Sequence, residues 1–126
     1  MSCDCNDDRV EMLIKQGEQR SYIFNITDPD KQPVNLTGNT IEVQIKNYPQ
    51  YKVKSLFEVT LDEYSSEYGY INDPTNGQFT LTITTDVSGN LQPKEYYIII
   101  TMVRGDERII ISGEGELSGI LTVCQQ

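Results

Sequence analysis

The feature that most restricts this chain is an apolar–polar alternation with a period of two that recurs along its length. Ile41, Val43 and Ile45 alternate with Glu42, Gln44 and Lys46. Successive side chains of a β-strand point to opposite faces, so this pattern gives a strand with one buried and one wet face. Val10, Met12 and Ile14 start the same pattern, which Gln16-Gly17-Glu18 interrupts. Tyr22, Phe24 and Ile26 repeat it against Ser21, Ile23 and Asn25. Phe57, Val59 and Leu61 begin another run, as do Phe79, Leu81 and Ile83. The stretch from Tyr96 to Met102 is apolar on both faces, which suits a strand in the interior. No amphipathic helix is evident. Residues 85–91 read as one short helical turn, capped by Thr85 or Asp86.

Turn chemistry separates these runs. Asp28-Pro29-Asp30 combines a fixed φ with side chains that bond their own backbone. Asn72-Asp73-Pro74-Thr75-Asn76-Gly77 is a dense turn cluster ending in Asn-Gly, and Arg104-Gly105-Asp106-Glu107 is a hairpin tip. Residues 62–70, acidic and rich in Ser and Tyr, read as an exposed connection. Residues 108–112 return from the hairpin and residues 116–123 close the chain. Short strands at this spacing predict an all-β fold, an Ig-like antiparallel β-sandwich of about seven to nine strands. The 126 residues suit one domain, with a core that needs neither disulfide nor metal. Residues 10–126 are expected to form it, preceded by a flexible polar arm over residues 1–9.

The formal net charge of −9 disfavours phosphate backbones and anionic membranes, so neither nucleic acid nor membrane is an expected partner. No apolar run reaches membrane-spanning length, and Met1 to Asp8 lacks the basic start and apolar stretch of a secretory signal. Synthesis in a cytosol is the expectation. Cys3, Cys5 and Cys124 are an odd set, expected as reduced thiols; the alternative is a bridge from Cys3 or Cys5 to Cys124.

Histidine is absent, which excludes Ser-His-Asp and Cys-His catalysis and any histidine acid or base. Paired carboxylates remain as an enzymatic alternative, but the chain is expected not to be an enzyme and to hold no cofactor or metal. Gly113-Glu114-Gly115-Glu116 precedes no helix and reads as a bulge, not a phosphate loop. Asp28 and Asp30 do not match a calcium loop and read as turn caps. Arg104-Gly105-Asp106 spells an adhesion tripeptide but has the composition a hairpin tip needs. The candidate interaction residues are tyrosines in or beside two loops: Tyr48, Tyr51, Tyr64, Tyr68 and Tyr70. Tyrosine adds contact area at small entropic cost and keeps a polar tip, and it also stacks on sugars. Ordinary loop packing is the other explanation for them.

The order of these features resembles a known group. Gln16-Gly17-Glu18 leads into the strand Tyr22 to Ile26, then into a turn running from Asp28 through Pro33-Val34-Asn35-Leu36-Thr37-Gly38, and into the strand Ile41 to Ile45. Asn76-Gly77-Gln78-Phe79-Thr80-Leu81, a Thr-rich turn, the strand Tyr96 to Met102 and a closing hairpin with Gly113 follow. This is similar to the small Ig-like β-sandwich domains of tailed-bacteriophage virion proteins, especially the N-terminal domain of baseplate upper proteins and related tail proteins. Gln32 stands where that family usually has glycine, and Pro93-Lys94-Glu95-Tyr96 replaces its usual glycine before the tyrosine. The resemblance implies a virion structural protein, assembled in the host bacterial cytoplasm. It would bind other virion proteins in several copies, as an adaptor or decoration of tail, baseplate or capsid. A carbohydrate-binding or adhesin-type module is the alternative.

Overall fold

The computed structural model describes residues 10–28, 30–48, 54–64, 67–110 and 119–125. The expected arm over residues 1–9, Cys3, Cys5, Tyr51 and the Gly113–Glu116 run lie outside the described residues. The strands are β1 (Val10–Lys15), β2 (Arg20–Asn25), β3 (Thr40–Lys46), β4 (Phe57–Leu61), β5 (Gly69–Asp73), β6 (Gln78–Ile83), β7 (Glu95–Arg104), β8 (Glu107–Ile110) and β9 (Gly119–Cys124). A 3-10 turn, Pro74–Asn76, precedes β6, and a short helix α1 (Thr85–Gly89) follows it.

Two sheets share one core. The larger has the order β1-β9-β7-β3-β4, with β8 also paired to β7; the smaller has the order β2-β6-β5. On β3, Ile41, Val43 and Ile45 are fully buried and lie opposite Met102, Ile100 and Ile98 of β7. Phe79, Leu81 and Ile83 of β6 complete the core from the other sheet. Burying one such side chain contributes about 1.5–3 kcal/mol, whereas strand propensities span only about 1 kcal/mol. Packing, set by the alternation, therefore decides which face of each strand turns inward. On β7 the opposite face is also shielded, since Ile99 and Thr101 are buried.

Several expectations need correction. The sandwich is not antiparallel throughout: β1 pairs with β9 in parallel, from Val10 opposite Gly119 to Lys15 opposite Cys124. A parallel pair needs a long crossover, and here everything between the first and last strands supplies it. Residues 69–73 are a strand, although residues 62–70 read as a connection and Asn72-Asp73 as turn chemistry. The register between β5 and β6 shifts between Tyr70 and Asp73, which accommodates those turn-forming residues at a bulge. The cap of α1 is Thr84, whose side chain accepts from the Val87 amide, not Thr85 or Asp86. In the Asp28 turn, Lys31 takes the left-handed conformation, at φ 64°.

Other local expectations hold. The Asp28 carboxylate accepts from the amides of Asp30 and Gln32, both at 2.9 Å, which is the turn-capping role. Arg104 and Glu107 pair at the end of the β7–β8 hairpin, so Arg104-Gly105-Asp106 forms its tip. No helix among the described residues is long and apolar enough to cross a membrane.

Candidate functional site: a neutral sheet face and an aromatic cleft

Among the described candidate tyrosines, Tyr68 and Tyr70 lie in different environments. Tyr48 follows β3 and is 62% exposed, and Tyr64, between β4 and β5, is 79% exposed. Tyr70 stands on β5 and is 39% exposed. Tyr68 is half-buried, its ring edge-on to Phe57 with centroids 5.1 Å apart. Tyr68 and Tyr70 would share one side of a regular strand. Gly69 between them, at φ +121°, breaks that alternation and turns Tyr68 against the core while Tyr70 stays on the outer surface.

The outer face of the smaller sheet is the first candidate surface. Ile23 of β2 lies opposite Thr80 of β6, which lies opposite Tyr70 of β5. Ile23 is 64% exposed, so this row presents apolar surface at both sides of a threonine. Around it runs a chain of neutral side-chain hydrogen bonds. Gln78 Nε2 donates to Asn25 Oδ1 at 3.0 Å, Asn72 Nδ2 donates to Gln78 Oε1, and Thr80 Oγ1 donates to Asn72 Oδ1 at 2.9 Å. The Ser21 and Thr82 hydroxyls bond each other at 2.8 Å. These positions hold no charge, in a chain whose formal charge is −9. Mutual bonding fixes their rotamers, so little conformational entropy remains to be lost on contact.

The second surface is a cleft of about 490 Å³. Phe57 and Tyr68 line one side, with Asn47 at the end of β3. The other side comes from α1 and the segment leading into β7, including Asp86, Asn90, Gln92, Lys94 and Tyr96. That wall is held by long-range bonds. Ser88 Oγ donates to the Glu18 carbonyl at 2.6 Å, and Gln16 Nε2 donates to the Leu91 carbonyl at 3.1 Å. Tyr96 OH donates to the Gln92 carbonyl at 2.8 Å, and Lys94 Nζ sits 5.0 Å from the Tyr96 ring centre. The Asn47 Oδ1 atom is buried and has no hydrogen-bond partner among the described residues. The sequence reading missed this wall, because no local pattern marks a segment that becomes a cleft only by packing against distant elements.

Burial pushes the Tyr96 phenol above the ordinary tyrosine value, the same cause raises Tyr22, and the neighbouring Glu67 carboxylate raises Tyr68. Each folded-state value lies above its unfolded one, so folding favours the neutral phenol. This stabilising contribution is complete below about pH 10 and is lost as pH rises through the folded-state values. Urea midpoints should therefore fall as pH rises above about 10. Tyr96→Phe, which keeps the ring and removes the ionising group, should show a smaller fall over the same range. An identical fall in that variant would rule out Tyr96 as a contributor.

Among the described residues no group of three or more Cys, Asp or Glu is placed to hold a metal. Cys124 has no disulfide partner among them. No family model matches the chain, and no curated protein matches it.

Proposed function

We propose that this chain is a bacteriophage structural protein, a small β-sandwich adaptor or decoration unit of the tail, baseplate or capsid. It works by binding other virion proteins, in several copies per particle, and without catalysis. The observation that carries this reading is the row of uncharged side chains on the outer face of the smaller sheet, with Ile23 and Tyr70 exposed in it. A chain of net charge −9 repels an acidic partner over most approaches. A row of neutral side chains lessens that repulsion locally, and exposed aromatic and branched side chains supply contact area. The order of turns and strands that resembles phage virion domains points the same way.

The test is capture of identified particle components by the tagged full chain, with mass spectrometry of purified particles alongside. The chain should appear in particles and should retain a specific tail, baseplate or capsid protein. Ile23→Lys and Tyr70→Lys should each weaken that retention about tenfold or more, as loss of a central contact does. A chain that is absent from particles and retains none of their proteins would overturn the proposal.

A further inference from the structure

We infer that the cleft between Tyr68 and the segment leading into β7 is a binding site for a neutral saccharide of one or two rings. Its volume, about 490 Å³, falls within the roughly 300–1,000 Å³ of small-molecule sites. The chemistry of its lining selects the class. Phe57 and Tyr68 provide an apolar wall, which suits the C–H face of a pyranose. The Asn47 and Gln92 amides supply both donors and acceptors, as closely spaced hydroxyls require.

Charge narrows the choice further. Among the described residues, Asp86 and Lys94 are the only charged side chains lining the cleft, one of each sign, and the chain as a whole is strongly acidic. Lys94 is offset by Asp86, and the Glu67 carboxylate also acts on Tyr68, so an anionic ligand is disfavoured. Asn47 adds a polar group whose Oδ1 is buried and has no hydrogen-bond partner among the described residues. Such an acceptor costs free energy, which a ligand hydroxyl would recover by donating to it once a turn of the Asn47 side chain brings Oδ1 to the cleft. The site is independent of the proposed docking face, since no residue is shared between them.

The test uses the full chain, isotopically labelled, titrated by NMR with glucose, galactose, N-acetylglucosamine, maltose and cellobiose, and with a neutral acetylated tripeptide as control. At least one sugar should shift the amides of Asn47, Tyr68 and Gln92 in a saturable manner. Asn47→Ala should weaken that binding about tenfold, the usual effect of losing one buried hydrogen bond. Gln92→Ala, at an exposed position that the fold tolerates, should weaken it as well. Several results would overturn the inference. These are no shift with any sugar up to about 20 mM, shifts confined to residues outside the cleft, or equal affinity in wild type and both variants. A response to the tripeptide but to no sugar also overturns it.

Discussion

Replacing Phe79 by alanine should lower the unfolding free energy by about 3–5 kcal/mol, the usual cost of removing a buried phenylalanine ring. Phe79 is the largest fully buried side chain of the core and stacks on Phe24 with centroids 5.0 Å apart. The transfer free energy of the ring and the cavity left beneath the smaller sheet both contribute. Natural domains are stable by only about 5–15 kcal/mol, so the variant should be marginally folded. Its melting temperature should drop by about 10–20 °C. Ile23→Ala makes the contrast, because Ile23 has the same strand setting but is exposed; its loss should stay within about 0.5 kcal/mol. Equal losses for the two variants would mean that the smaller sheet does not bury its faces as described.

A second large effect is expected at Gly69. A β-carbon there would lie 2.9 Å from the carbonyl carbon of Thr80 and 3.1 Å from the Leu81 Cα, and closer still to the Thr80 carbonyl oxygen. These are backbone atoms of β6, so no side chain can move aside. The φ of +121° adds strain for any residue with a β-carbon. Gly69→Ala should cost about 3 kcal/mol or more, the sum of overpacking and backbone strain. It should also weaken protection of the Thr82 amide, which donates to the Tyr68 carbonyl at 2.9 Å, in hydrogen exchange. Gly38→Ala is the control. Its φ of +78° carries strain, but a β-carbon there meets nothing within 4 Å, so the cost should be about 1 kcal/mol. A Gly69→Ala loss no larger than this would remove the steric explanation.

The parts of the fold legible in the sequence are those in which local pattern and final environment agree. The alternation of Ile41, Val43 and Ile45 marks the inward face of β3, and that face is fully buried. The Asp28 turn and the Arg104–Glu107 hairpin were legible because their chemistry acts within a few residues. Strand β5 was not, because Asn72 and Asp73 favour turns in isolation, and pairing with β6 overrides that preference. The parallel β1–β9 pair was equally hidden, since no turn joins those strands and sequence neighbours say nothing about them. Of the candidate tyrosines, Tyr68 lines the cleft and Tyr70 stands on the neutral face. Their separation depends on the φ of Gly69, which a one-dimensional pattern does not display. The amide network of Asn25, Asn72 and Gln78 was also out of reach, because those residues come from three strands.

The parallel pairing of β1 with β9 has a mechanical consequence. Val10 and Cys124 lie at opposite ends of the same pair of strands, so a pull applied between them acts along the strand axis. Such a load is shared by all the rungs from Val10–Gly119 to Lys15–Cys124 at once, instead of opening them one after another as peeling would. The two strands must slide past each other before the rest of the sandwich yields. Force transmitted between Val10 and Cys124 would therefore load this strand pair in its more resistant direction.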